Sequence, residues 1–205
     1  AARTAWNKRI GNVGQACTSN KRMIVMEDIY DEFVAELVAI AESYTQGDPL
    51  NPGENEYYPL SSRDAAEKLA QQLKVAVDAG ATLHTGGQVE GKGAYFTPAV
   101  ITGIPVGSDS YYEEFFGPVA EVYKVSSEDE AIEVANDSNY GLGGAVMSED
   151  TERAKRVANK IVTGMIHVNI PQARGAELPF GGVKNSGIGR ELGPLGMDEF
   201  VNKQR

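Results

Sequence analysis

Cysteine and histidine are scarce in this sequence, and long apolar runs are missing from it. Only one cysteine, Cys17, occurs in 205 residues, which excludes an intrachain disulfide and favours a reducing compartment such as the cytoplasm. No run approaches the roughly 20 apolar residues that cross a bilayer, and the first residues lack the apolar core of a signal peptide. We therefore expect a cytoplasmic protein with no membrane partner.

Positive charge is also in short supply. Lys and Arg number 19 against 29 Asp and Glu, so the net charge is −10. A nucleic-acid partner is not expected, because binding to the phosphate backbone requires clustered Lys and Arg. The length allows one large core or two small ones.

The two ends of the sequence favour a piece of a longer protein. The chain opens on AARTAW, a helix-like stretch with no initiating Met, and it stops at GMDEFVNKQR with no helix cap. We therefore expect residues 1–205 to be a domain fragment.

The first half of the sequence alternates helix-like and strand-like segments. A helix is predicted over 1–11, and the apolar run 23–26 suits a buried strand. Apolar residues that recur at helical spacing from Ile29 predict an amphipathic helix. Ser61 is the expected N-cap of a further helix, which places Val77 on its apolar face.

The second half predicts a parallel sheet. Strands are expected over 119–125, 143–147 and 164–169, and helices between them over 129–137 and 151–161. This alternation indicates an α/β fold with a mostly parallel sheet flanked by helices. Such sheets place their sites at the carboxyl ends of the strands.

Two groups of residues that often carry chemistry are better interpreted structurally. His84 and His167 lie in strand-like segments whose neighbours suggest neither a catalytic triad nor a metal site, so no metal is expected. GGQVEGKG (86–93) resembles a phosphate-binding loop, but Gly93 stands where Ser or Thr should follow the lysine. No helix follows it either, and we interpret it as a turn.

Cys17 lies in GQACTSNKR (14–22), just beyond the predicted first helix. A free cysteine is often a buried filler residue. Against this, Lys21 and Arg22 favour the reactive thiolate, and backbone N–H groups near it could stabilise an oxyanion. The local pattern leaves filler and nucleophile equally open.

Two other segments have unusual composition. EEFFGPV (113–119) sets two carboxylates beside two phenylalanines, directly before a predicted strand. Such a carboxylate either forms a charged edge or accepts the hydroxyls of a ribose, with an aromatic face for a flat cofactor ring. PFGGVKNSGIGRELG (179–193) is dense in glycine, which suits an irregular packing loop or a site lining.

These segments, in this order, closely resemble three motifs of the aldehyde dehydrogenase superfamily. N-x-G-Q-x-C matches residues 12–17, E-x-F-G-P matches 114–118, and P-F-G-G-x-K-x-S-G-x-G-R-E matches 179–191 without a mismatch. The resemblance covers essentially the whole chain. Within the superfamily the sequence is most similar to bacterial succinate-semialdehyde dehydrogenases.

The resemblance implies a role for each matching residue. Cys17 would be the nucleophile that forms a thiohemiacetal and then a thioester, while a small-molecule aldehyde is oxidised to the acid with NAD or NADP. Glu114 would bind the nicotinamide-side ribose, with Phe116 beside it, and Phe180 would line the substrate tunnel. The end of the chain would approach an oligomerisation strand, which implies a homo-oligomer.

The resemblance also implies parts that lie outside this chain. The family's dinucleotide-binding domain, which holds most of the cofactor, precedes this region together with a water-activating glutamate and an oxyanion-binding asparagine. We therefore expect the fragment alone to be inactive.

The substrate is the least specific part of the resemblance. Succinate-semialdehyde dehydrogenases often carry Arg and Ser where this sequence has Gly11 and Gly175, so neighbouring Arg174 is the candidate partner for a substrate carboxylate. A CoA-acylating aldehyde dehydrogenase and a non-catalytic assembly module of the same fold stay open as alternatives. A thiol hydrolase is disfavoured because no histidine is well placed to serve as its base.

Overall fold

The computed structural model describes residues 1–173 and 175–204. The chain divides into two compact units, Ala1–Ser127 and Glu128–Arg205. Both contain helices and strands, and parallel pairing predominates among the longer strands, so the predicted α/β class is confirmed. No helix in the described ranges is both long and apolar enough to cross a membrane.

The first unit contains four helices and eight strands in its described residues. The helices are α1 (Ala2–Ile10), α2 (Glu27–Glu42), α3 (Arg63–Asp78) and α4 (Asp109–Tyr112). The strands are β1 (Arg22–Met26), β2 (Thr45–Gln46), β3 (Glu56–Tyr57), β4 (Thr82–Thr85), β5 (Val89–Glu90), β6 (Tyr95–Phe96), β7 (Ala99–Thr102) and β8 (Val119–Val125).

A four-stranded sheet in the order β1-β8-β7-β4 organises this unit. β8 pairs in parallel with both β1 and β7, and β4 is added antiparallel at one edge. All residues of β8 except Lys124 are buried, as are all four of β7. A strand buried on both faces is typical of a parallel sheet covered by other elements.

The helices cover the sheet with the apolar faces that their spacing predicts. Trp6 of α1 and Leu37 and Ile40 of α2 are buried in one cluster with Val100 and Val122 of the sheet. Burying side chains of this size contributes about 1.5–3 kcal/mol each. This packing fixes the end of α1, from which the chain enters the Cys17 segment.

Three details of the predicted helices are wrong. The N-cap of α3 is Ser62, whose Oγ accepts from the amide of Ala65 at 3.1 Å, rather than Ser61. Val77 is 39% exposed, because the buried stripe of α3 continues from Leu69 and Leu73 to Ala76 rather than to Val77. Ile29 is likewise half exposed at the first turn of α2.

The second unit contains the remaining elements. The helices are α5 (Glu128–Asn136), α6 (Thr151–Ala158) and α7 (Gly193–Asp198). The strands are β9 (Tyr140–Gly141), β10 (Gly143–Val146), β11 (Met165–Val168) and β12 (Val183–Lys184). β10 and β11 pair in parallel, whereas β9 and β12 pair antiparallel.

The strands predicted over 119–169 form at their expected places but do not share one sheet. β8 pairs with β1 and β7, while β10 pairs with β11. A strand has two edges, and both edges of β8 are occupied by strands that lie earlier in the sequence. The regular spacing of the second half therefore predicts its elements correctly and their pairing only in part.

Candidate active site

Cys17 lies on an exposed loop between α1 and β1. A 3₁₀ turn over Gly11–Gly14 precedes it, and both Asn12 (φ 51°) and Val13 (φ 53°) adopt left-handed backbone conformations there. A branched residue such as Val13 rarely adopts this conformation, and such strain is concentrated at functional sites. The amide of Gln15 donates to the Asn12 carbonyl at 3.0 Å and closes the turn. The exposed thiol excludes the buried-filler interpretation.

The segment that contains Glu114 and Phe116 leads directly into β8. Phe115 is fully buried and anchors the segment, whereas Phe116 is 45% exposed. A Cβ atom on Gly14 (φ 75°) would lie 2.1 Å from the carbonyl oxygen of Gly117. The cysteine loop and this segment therefore approach so closely that a side chain at position 14 has no room.

Arg9, fully buried at the end of α1, links these two segments. One guanidinium nitrogen donates to Ser19 Oγ at 3.1 Å. The other donates to the carbonyl of Phe115 at 2.7 Å and to that of Gly117. Burial lowers the pKa of Arg9 to about 10, although nearby carboxylates oppose the shift. The side chain therefore stays charged at neutral pH, and it fixes the loop after Cys17 against the approach to β8.

Lys21 is a second cation shared by the two segments. Its Nζ lies 2.8 Å from Glu114 Oε1 and donates to the carbonyl of Cys17 at 3.3 Å. It also lies 5.5 Å from the centroid of the Phe116 ring. One ammonium group thus contacts Cys17, Glu114 and Phe116. The sequence motifs single out these residues, and the two motifs lie about 100 residues apart in the sequence.

Phe180 belongs to the second unit. It is half-buried at the start of the glycine-rich segment, and its amide and carbonyl both pair with Glu191 at 2.7 Å. Arg190 closes the loop by donating to the carbonyl of Gly182 at 2.9 Å. The segment is thus an ordered loop that presents Phe180 from a two-residue bridge. Arg174, the candidate carboxylate partner, lies outside the described residues.

The two histidines and the GGQVEGKG segment, which the sequence does not assign to the site, lie in strands or next to a strand. His84 lies on β4 with its Nε2 2.8 Å from Thr102 Oγ1, and His167 lies on β11. The GGQVEGKG segment contains strand β5, and only its last three residues, 91–93, belong to the turn that leads to β6. Within residues 1–173 and 175–204, no group of three or more His, Cys, Asp and Glu side chains could hold a metal ion.

Local sequence patterns do not reveal the linking roles of Arg9 and Lys21. Both lie within nine residues of Cys17, so a cation near the thiol is expected. Their partners Phe115, Gly117 and Glu114 lie more than 90 residues away, and no periodicity predicts those contacts. These contacts of Arg9 and Lys21 become apparent only in the three-dimensional structure, where the two motifs lie side by side.

The site has the chemistry to bind a hydroxylated group and a flat ring beside an exposed cysteine. The carboxylate of Glu114 remains one-third exposed, so it can accept hydrogen bonds from paired hydroxyls. The exposed ring of Phe116 offers an apolar face next to it. A ribose and a planar ring therefore fit the donor and acceptor set that is present.

Known proteins of similar sequence cover nearly the whole of this chain. Among curated relatives, a succinate-semialdehyde dehydrogenase [NADP(+)] of Deinococcus radiodurans is 50% identical over 197 residues, which cover 96% of this chain and 41% of that protein. One from Mycobacterium ulcerans is 42% identical and covers 98% of this chain and 44% of its own length. The chain therefore spans less than half the length of these relatives.

Solved structures match equally well. The succinic semialdehyde dehydrogenase of Streptococcus pyogenes in complex with NADP+ superposes with a TM-score of 0.93 at 48% identity, covering 98% of this chain and 44% of that one. A betaine aldehyde dehydrogenase of Staphylococcus aureus in complex with NAD+ gives 0.92 at 36%, with 97% and 40% covered. The model of the aldehyde dehydrogenase family matches residues 1–205. The chain belongs to the aldehyde dehydrogenase family.

Proposed function

We propose that residues 1–205 are the catalytic-domain part of a longer enzyme that oxidises an aldehyde to a carboxylic acid with NAD or NADP. The observation that carries this proposal is the exposed thiol of Cys17 on a loop joined through Lys21 to the carboxylate of Glu114. Relatives more than twice as long as this chain support the presence of a further domain in the complete protein.

Cys17 performs the covalent chemistry in this proposal. Its thiolate adds to the carbonyl carbon of the aldehyde, and the carbonyl oxygen becomes an oxyanion that the backbone N–H of Cys17 helps to stabilise. Loss of a hydride from the former carbonyl carbon leaves a thioester on Cys17. Water then hydrolyses the thioester to the acid and restores the thiol. The groups that activate this water and complete the oxyanion hole are assigned to residues outside this chain.

Glu114 and Phe116 orient the cofactor in this proposal. When bound, NAD(P)⁺ supplies the hydride acceptor. The carboxylate of Glu114 accepts hydrogen bonds from ribose hydroxyls, and the exposed Phe116 ring limits the position of the neighbouring planar ring. Phe180 provides an apolar surface toward the substrate.

A Cys17→Ala variant of the complete protein tests the function. We expect aldehyde-dependent NAD(P)H formation to fall by at least about a thousandfold, since Cys17 is the one cysteine of residues 1–205 and its sulfur forms the thioester in this proposal. Thr18→Ala, a change in the same loop that spares the thiol, is the matched control and should retain activity. Undiminished turnover by Cys17→Ala would contradict the proposal, and strict dependence on added CoA would favour the acylating alternative.

The substrate we propose is succinate semialdehyde, on the strength of relatives that carry that name. Arg174 is assigned to its carboxylate, because a guanidinium pairs with a carboxylate through two parallel hydrogen bonds. In the complete protein, Arg174→Ala is expected to raise KM for succinate semialdehyde about tenfold or more. KM for butyraldehyde, which lacks the carboxylate, should change little. An equal rise for both aldehydes would remove the assignment.

Two features of the complete protein stay predictions. One is a homo-oligomeric assembly, and the other is a cytoplasmic location.

A further inference from the structure

The ammonium group of Lys21 has four polar contacts, whereas a lysine on the protein surface often has one or none. Its Nζ donates to the carbonyl oxygens of Ala16 at 3.1 Å, Cys17 at 3.3 Å and Ser19 at 3.1 Å. Glu114 Oε1 lies 2.8 Å from the same nitrogen. An ammonium group has three hydrogens, so all of them are shared among these four acceptors. The side chain is thus committed to the cysteine loop and to Glu114 together.

The environment of Lys21 makes these contacts costly to lose. Its side chain is only 13% exposed. Burial lowers the pKa of Lys21, and its hydrogen bond to Glu114 opposes that shift and favours the charged form. Removing the ammonium group would leave three carbonyl oxygens and a carboxylate without this donor in a largely shielded place. Lys74 offers a contrast, since it pairs with Asp78 on the exposed face of α3.

The two ends of this network have different tasks in the proposed function. The carbonyls belong to the loop that presents the thiol of Cys17. Glu114 is the carboxylate assigned to the ribose, and it remains one-third exposed although one of its oxygens is held by Lys21. A carboxylate that is fixed at one oxygen and open to solvent is already oriented before a ligand arrives, which lowers the entropy cost of binding.

We propose that Lys21 is a positioning residue that orients the Glu114 carboxylate for the cofactor and holds the backbone around Cys17, so that thiol and cofactor keep one relative geometry. This inference rests on the proposed function. Lys21 acts through Glu114 on cofactor binding and through the three carbonyls on the thiol. The two effects are therefore separable by mutation.

A double-mutant cycle in the complete protein tests the first effect. KM for NAD(P)⁺ is measured for the parent, Lys21→Met, Glu114→Gln and the double variant. Lys21→Met is expected to raise this KM about fivefold or more in the parent and less than about twofold in the Glu114→Gln background, since coupled residues are not additive. KM for the aldehyde should stay within about twofold of the parent value. Equal factors in both backgrounds would show that Lys21 does not act through Glu114.

The second effect is measured without cofactor or turnover. Alkylation of Cys17 by iodoacetamide, followed by mass spectrometry of the peptide that contains it, is expected to change in rate by about threefold or more in Lys21→Met, because the loop that presents the thiol loses the donor shared by three of its carbonyls. Lys74→Met, which removes an exposed lysine far from the site in sequence, should leave both the alkylation rate and the cofactor KM unchanged. An unchanged rate in Lys21→Met would overturn the role toward Cys17.

The role of Lys21 can still be tested if Lys21→Met does not fold or if the parent protein is inactive. If Lys21→Met does not fold, Lys21→Gln replaces it with the same directions of change expected, because a neutral amide with two hydrogens cannot hold all four acceptors that the ammonium group holds. If the parent protein oxidises no aldehyde, the proposed function fails, while the alkylation comparison still decides the role of Lys21 toward the thiol.

Discussion

Glu121 is a buried acid that the proposed reaction does not use. It lies fully buried in β8, where the Tyr123 hydroxyl donates to its Oε2 at 3.0 Å. Its Oε1 has no hydrogen-bond partner within the described part of the chain. Burial raises the pKa of Glu121 to about 7, against the opposing effects of Arg9, the Tyr123 hydrogen bond, Arg22 and Lys21. The carboxyl is therefore easier to bury protonated than charged.

This shift predicts a pH-dependent stability. Below pH 4.5 Glu121 is protonated in both states, whereas between about 4.5 and 7 the folded state keeps a proton that the unfolded state releases. Stability contributed by the protonated carboxyl is therefore lost as the pH rises through about 7. Relative to Glu121→Gln, the parent should lose about 3 kcal/mol across this window.

The measurement is urea unfolding of both proteins between pH 4.5 and 8, followed by the fluorescence of Trp6, the one tryptophan of the chain. Other acids titrate equally in both proteins, so the difference between their free energies of unfolding isolates Glu121. A difference that does not change with pH would refute the assignment.

At the scale of secondary-structure elements, the close contact between the 3₁₀ turn before Cys17 and the segment before β8 limits which residues position 14 accepts. Gly14→Ala would force a Cβ to 2.1 Å from the Gly117 carbonyl oxygen while the backbone keeps a positive φ. We expect a loss of about 2–4 kcal/mol in the free energy of unfolding, from overpacking and left-handed strain together. Urea unfolding monitored by Trp6 fluorescence measures it.

Gly11→Ala is the matched control for this prediction. Gly11 opens the same turn with a φ of −52°, and a Cβ built on it meets no atom within 4 Å. Its replacement should change the free energy of unfolding by less than about 0.5 kcal/mol. Similar losses in the two variants would mean that close approach to Gly117 is not what position 14 requires.

The elements themselves are largely predictable, and the exceptions have local physical reasons. β8, β10 and β11 form at the predicted places because short apolar runs encode burial directly. The N-cap of α3 shifts by one residue because adjacent serines offer equivalent side chains to the same helix end. The pairing of β8 is not predictable from spacing, because its neighbours β1 and β7 are chosen by long-range packing.

On the scale of the whole molecule, the motifs single out residues that lie close together in the fold, but they do not indicate what holds those residues together. Cys17, Glu114 and Phe116 do lie in one unit and share Lys21. Arg9 and Lys21 escape prediction because their acceptors include backbone carbonyls, which any residue provides. The assay that tests Cys17→Ala also tests residues 1–205 on their own. We expect no NAD(P)H formation from them, because the proposed function assigns the cofactor-binding domain to the rest of the complete protein.

The position of Arg9 has a consequence for the time at which the site comes into existence. Gly117, which accepts from Arg9, follows Cys17 by 100 residues. A ribosome adds about 5–20 residues per second, so Cys17 is made roughly 5–20 s before that partner. During this interval β1 also lacks β8, the strand with which it pairs. A nascent chain therefore displays the thiol of Cys17 before the ribosome has made the segment that Arg9 holds against the cysteine loop.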